Sequence, residues 1–223
     1  MVPIEEALRR FNRKERFIVA EWLLAPAPFS LGRDTREELA RVLRPRGVSA
    51  VPTDAFVAID YHLDWLYAAL SIHTGHWDPD DGAVHARPPE PALTANQEDV
   101  DAIVAWSGPE GGATIVLIEA KAYSGWTNKQ LQSKANRLGA IFGPGGDNWK
   151  AVTPHFVLAG PKPSQGVDDT NWPRWMRSPA TIDLPAPTGQ RSAVTRCDDD
   201  GRPTATGERI RMIHSTWPNT PKP

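Results

Sequence analysis

The sequence has a single cysteine, Cys197, in 223 residues. That excludes an intramolecular disulfide and any zinc site built on paired cysteines, and it suits a reducing cytoplasm. Long apolar runs are missing as well: none approaches the roughly 18–20 residues that a membrane-spanning helix needs. The opening "MVPIEEALRRFNRKERF" carries acids and no apolar stretch, so no signal peptide is expected there. There is no charge excess of either sign. The formal net charge is −2, whereas a non-specific nucleic-acid binder usually carries a basic surplus. A local basic patch would have to supply such affinity, and metal-binding carboxylates would themselves lower the total. No internal repeat or low-complexity block occurs. What is present is ordinary globular composition, 40% hydrophobic and 23% charged, in a length that fits one large domain or a domain with a decorated tail.

Periodicity divides the chain into three parts. In residues 1–54, helices are expected over 3–24 and 34–44. The first has Pro3 in its opening turn and Ile4, Leu8, Phe11, Ile18 and Trp22 at helical spacing. The second is capped by Asp34 or Thr35. Residues 55–161 begin with a third expected helix over 55–73, centred on "DYHLDWLYAALSI" and apolar around most of its circumference. A long polar, Pro-rich loop follows, with room for an irregular strand near 84–94. Strands are then expected at 99–106, 113–123 and 152–161. The first two are joined by the turn "GPEGG", and a helix runs from the Thr127–Gln130 capping box to about residue 140. Residues 162–223 form a Pro- and Trp-rich extension packed on the core. It holds a short edge strand at "TIDLPAP" and a hairpin of Ser192–Arg196 with Glu208–Ser215, turning at Asp200-Gly201. Alternation of this kind gives an α/β protein with a mixed central sheet flanked by helices, an N-terminal helical extension and a C-terminal β-hairpin.

The chemistry concentrates in "DVDAIVAW" and "TIVLIEAKAY". Glu119 and Lys121 stand two apart at the end of an apolar strand and so share a face. Burying both is costly unless each finds a partner. In an antiparallel pair the start of the first strand lies beside the end of the second, which brings Asp101 to Glu119 and Lys121. Two carboxylates, waters and a phosphate oxygen make an oxygen shell for Mg²⁺ or Mn²⁺. Such a metal polarises a phosphodiester and acidifies a bound water, while a lysine orients that water or offsets charge on the phosphorane. The Ala120 carbonyl, at the same rim, is a further candidate ligand.

An Asp on one strand, an apolar run, a turn and a second strand ending Glu-x-Lys resembles the PD-(D/E)xK nuclease superfamily, the restriction-endonuclease-like fold. The resemblance covers residues 55–160 or so. It implies an αβββαβ core and a Mg²⁺- or Mn²⁺-dependent nuclease, with endonuclease action on DNA favoured over RNA. By it, Asp101 and Glu119 are metal ligands and Lys121 is the catalytic lysine. Gln130, with Gln132 second, matches the glutamine that several branches place on the following helix, and Tyr123 fits the pattern. No proline precedes the aspartate ("QEDVD"), and Asp99 shares its strand face, so Asp99 competes with Asp101 for the metal. For an additional acid from a preceding helix the candidate is Asp64, with Asp60 and Glu15 behind it. The implied partners are DNA, a second copy of the chain where both strands are cut, or a larger defence or DNA-processing complex; no membrane partner is expected.

Plainer roles compete for each of these residues. Asp101, Glu119 and Lys121 could be a surface salt-bridge cluster, which contributes roughly 0–1 kcal/mol. Gln130 could serve only its cap. The basic face of the first helix, with Arg13 and Lys14, could be solvated instead of contacting phosphate. Trp126, just past the lysine, could anchor a loop instead of stacking on a base. His62, His73, His76 and His85 read as loop and core histidines, because no third metal ligand accompanies the pair in "SIHTGHW". The alternative to an enzyme is a catalytically silent nuclease-like fold that binds nucleic acid or protein.

Overall fold

The computed structural model describes residues 2–11, 18, 19, 22, 30–78, 80, 82–95, 98–108, 111–121, 126–160, 166–184 and 190–216. The chain forms two compact units, Met1–Asp183 and Leu184–Pro223.

The first unit is built on a five-stranded mixed sheet of order β1-β2-β3-β4-β5. Its strands are β1 (Phe56–His62), β2 (Asp99–Ser107), β3 (Ala113–Ala120), β4 (Val152–Gly160) and β5 (Ala180–Asp183). β1 and β2 pair antiparallel, as do β2 and β3; β3 and β4 run parallel, as do β4 and β5. The central strands are apolar along almost their whole length because both faces are covered. Ile103, Ala105, Ile115, Leu117, Phe156 and Leu158 face a large core shared with three helices. These are α1 (Ile4–Arg9), α3 (Leu63–His73) and α4 (Asn128–Phe142). Val104, Trp106, Val116 and Val157 face the other way, onto Leu39, Ala40 and Leu43 of α2 (Arg33–Leu43).

Several sequence expectations are corrected here. The expected helix over 55–73 is two elements, β1 and then α3. Apolar residues around the whole circumference do not distinguish a helix from a doubly covered strand. β1 also lacks a clean alternation, since Asp60 adopts a left-handed backbone with φ 51. His62 ends the strand and caps the helix, its Nδ1 accepting the Asp64 N–H at 3.1 Å. No strand occurs near 84–94 among the described residues; Val84 there is fully exposed. β3 stops at Ala120 instead of residue 123, although the Lys121 N–H still donates to the Ala159 carbonyl at 2.9 Å. α2 is capped by Gly32, not by Asp34 or Thr35, and Asp34 lies in the first turn, where its charge complements the helix dipole. Of the expected first helix, α1 covers Ile4–Arg9, and residues 18, 19 and 22 are helical. Arg13, Lys14, Glu15 and Arg16 lie outside the described residues, as does Tyr123.

Anchoring of α1 is polar as well as apolar. The buried Tyr61 hydroxyl donates to the Leu8 carbonyl at 2.9 Å, and Glu5 accepts from the N–H and the hydroxyl of Ser107, each at 2.6 Å. α4 opens as expected: the Thr127 hydroxyl accepts the Gln130 N–H at 3.4 Å. The second unit holds β6 (Gln190–Cys197) and β7 (Arg209–Thr216), antiparallel in the register Cys197↔Arg209. Asp200-Gly201 does turn, with the Gly201 N–H donating to the Asp198 carbonyl. That turn sits inside a longer connection, residues 198–208, and does not itself join the strands.

Candidate active site at the β2–β3 rim

Asp101 and Glu119 are the next residues beyond the pair Ala102↔Ile118, at the open end of the β2–β3 hairpin. One Asp101 carboxylate oxygen accepts the Ala120 N–H at 2.7 Å, which pins the acid against β3 beside Glu119. Lys121 follows directly, half-buried. Asp101, Glu119 and Lys121 therefore occupy one rim. Asp60 is level with Asp101 on the neighbouring strand, between Ile59↔Ala102 and Tyr61↔Val100.

Glu119 is the electrostatic centre of the group. Its side chain is 13% exposed. Burial is the main cause that pushes its carboxyl up to about 7; Asp101 pushes it further, whereas Lys134 and, more weakly, Lys121 pull it down. Lys134, on α4, reaches Glu119 with an ammonium–carboxylate distance of 3.0 Å and also donates to the Asp99 carbonyl. Two lysines thus act on Glu119, and the one from the helix is the stronger influence.

A cleft of about 290 Å³ opens on this group. Glu98, Glu119, Lys121, Gln130, Ser133 and Lys134 supply its polar lining, and Trp126 and Leu131 its apolar walls. The Gln130 N–H is the one that Thr127 caps, and Gln130 also lines the cleft. Gln132 bonds instead to Asn136 along the helix surface. The Trp126 ring lies over Gly160; a Cβ there would come within 2.8 Å of the indole, so only glycine admits the ring. The indole N–H is buried with no hydrogen-bond partner among the described residues.

Asp64 is committed elsewhere. It accepts the N–H groups of Thr94 and Ala95 at 3.2 and 2.8 Å, and it pairs with Arg137 of α4. Arg137 also reaches Glu98 at 3.3 Å. This network ties α3, α4 and the entry to β2 together and reaches the cleft through Glu98. The histidines fall into structural places: His62 caps α3, His73 bonds the Val2 carbonyl at 2.7 Å, His76 bonds the Thr74 hydroxyl, and His85 stacks on Trp77.

Sequence reasoning passed over Lys134 and Arg137. Their spacing, four and seven residues after Gln130, puts all three near one face of α4 and was the available signal.

Compared with protein-family models, with curated proteins and with solved structures, the chain matches none.

The donor set at the rim suits a hard divalent cation. Two carboxylates forced together in a partly buried place, one with a raised pKa, are an arrangement that a cation relieves. Mg²⁺ typically takes only one or two carboxylates and fills its remaining positions with water and substrate phosphate. Among the described residues, no group of three or more His, Cys, Asp or Glu side chains is placed to hold a metal. The oxygen donors expected as ligands are Asp101, Glu119 and the Ala120 carbonyl.

Proposed function

We propose that the protein is a Mg²⁺- or Mn²⁺-dependent nuclease that hydrolyses phosphodiester bonds, with DNA as the favoured substrate. The observation that carries this reading is the meeting of Asp101, Glu119 and Lys121 at one rim, where Glu119 and Lys121 line a polar cleft. Support comes from the order of elements. Within residues 55–160 the order is βαββαβ, and it becomes the αβββαβ order that the resemblance implies when α2, which precedes that range, is taken as the leading helix and α3 as an insertion between β1 and β2. The preference for DNA rests on that resemblance alone.

A divalent cation at Asp101 and Glu119 would polarise the phosphodiester and acidify a bound water. Lys121 places an ammonium where negative charge develops on the phosphate oxygens. Gln130, presented by the first turn of α4, donates an amide to a phosphate oxygen or to the attacking water. Trp126 walls the cleft beside Lys121 and offers an aromatic face to a base.

A second reading has its own observation. Lys134 already places an ammonium 3.0 Å from Glu119 and offsets part of its charge without a metal, as a silent binding module would require. The two readings separate in one experiment. Purified protein is titrated with Mn²⁺ and then offered supercoiled plasmid, linear duplex, single-stranded DNA and RNA with Mg²⁺, Mn²⁺ or EDTA. Metal binding together with metal-dependent cleavage, both lost in Asp101→Asn, is expected of the nuclease. Nucleic-acid binding that needs no metal and leaves every substrate intact would establish the silent module.

A further inference from the structure

Lys134 is unusual among the cations of this chain. It lies on α4 with only 11% of its side chain exposed, and its ammonium touches two groups of the rim, the Glu119 carboxylate at 3.0 Å and the Asp99 carbonyl. It lines the same cleft as Lys121. A buried ammonium–carboxylate pair has a purely structural explanation if it is permanent. Yet Glu119 is also the acid that a divalent cation would need, and an ammonium 3.0 Å from one of its oxygens repels a second cation brought to the same carboxylate.

We propose that Lys134 is a displaceable counter-ion: its ammonium competes with a divalent cation for Glu119 and, once released, binds a phosphate of the nucleic-acid substrate. This rests on the nuclease reading above. Release alone is unfavourable, because a buried ammonium without a partner is strongly destabilising. Among the described residues that line the cleft, the other carboxylate, Glu98, is paired with Arg137. An anion brought in by the substrate is therefore what completes the exchange. Metal and substrate phosphate then bind cooperatively, each raising the affinity for the other by the same factor, as linkage requires.

The test is Mn²⁺ binding, read from the electron paramagnetic resonance of the free ion at pH 8.5, where protons compete little for carboxylates. It is run with and without a short phosphorothioate DNA duplex that resists cleavage. Lys134→Gln, which keeps a donor for the Asp99 carbonyl but removes the charge, should bind Mn²⁺ alone more tightly than the unsubstituted protein, by a factor of about 5 to 150. Lys134→Arg should restore the weaker binding. The duplex should tighten Mn²⁺ binding to the unsubstituted protein and to Lys134→Arg, and should lose most of that effect in Lys134→Gln. A purely structural lysine would give the opposite sign, since a loosened site binds metal no better. If Lys134→Gln does not fold, as judged by circular dichroism, Lys134→Met keeps the aliphatic stem and serves the same comparison.

Equal or weaker Mn²⁺ binding in the charge-removing variants, with Mn²⁺ still lost in Glu119→Gln, would overturn the role of Lys134 and leave the nuclease reading standing. Absence of Mn²⁺ binding in every variant and in the unsubstituted protein would overturn both.

Discussion

Replacing Arg137 by Met keeps most of the volume of the side chain and removes its charge. Arg137 is 3% exposed, and its partners Asp64 and Glu98 are 14% and 27% exposed. Breaking a buried pair by removing one member costs about 3–5 kcal/mol, because the other charge is stranded. Two things soften the loss here. Asp64 keeps the N–H groups of Thr94 and Ala95, and Glu98 is open enough for water to reach it. The expected cost is therefore at the lower end, about 3 kcal/mol. In a unit the size of Met1–Asp183 that corresponds to a melting temperature lowered by roughly 6–12 °C. Urea unfolding followed by tryptophan fluorescence measures it, since every tryptophan except Trp217 lies in that unit. The slope against urea should not change. A double-mutant cycle with Asp64→Asn should show a coupling of about 1–3 kcal/mol. A loss below about 1 kcal/mol, or strict additivity of the two substitutions, would refute the claim that this network clamps α3 and α4 to the start of β2; about 1 kcal/mol is what an exposed pair would give.

Two further outcomes follow from the same structure. His155 is buried in β4, and burial, helped by the Arg46 charge, holds its imidazole down to about 4 from an ordinary 6.5. A lowered folded-state pKa means that its contribution is complete above pH 6.5 and is lost as pH falls towards 4, about 3 kcal/mol in all. His155→Asn should flatten this part of the stability profile measured by urea unfolding at pH 4 to 7, and an unchanged profile would count against it. Gly160→Ala should drive a methyl into the Trp126 ring and the Lys121 carbonyl, at 2.8 and 3.1 Å, and cost about 1–3 kcal/mol. It should also shift the tryptophan emission, and a neutral substitution with unaltered emission would mean that the ring does not lie there.

What the sequence disclosed follows from which signals are local. β2, β3 and β4 were readable because doubly covered strands are short apolar runs bounded by turns, and "GPEGG" fixes the hairpin between the first two. α4 was readable from Thr127 and Gln130, whose spacing is itself the cap. β1 was not, because Phe56–His62 runs directly into Leu63–His73 with no turn residue between them. The change of element rests on Asp60 in a left-handed conformation and on His62 as a cap, which neither propensity nor periodicity announces. Asp101, Glu119 and Lys121 could be placed together from strand order alone. Lys134 and Arg137 could not, because a charged residue on a helix is a solvated one until tertiary structure buries it. Asp64 was noticed as an acid near the sheet. Its commitment to Arg137 and two backbone amides comes from residues 30 and more positions away.

The most direct test of the central claim is nicking of supercoiled plasmid by purified protein in Mg²⁺, compared with Lys121→Ala at equal concentration and equal circular dichroism. The account predicts Mg²⁺-dependent conversion to open circles by the unsubstituted protein, abolished by EDTA. It predicts a rate at least about a hundredfold lower in Lys121→Ala, the scale expected for removing a group that stabilises developing charge. Cleavage that continues unchanged in Lys121→Ala, or a folded protein that leaves the plasmid and every other nucleic acid intact with Mg²⁺ and Mn²⁺, would contradict it.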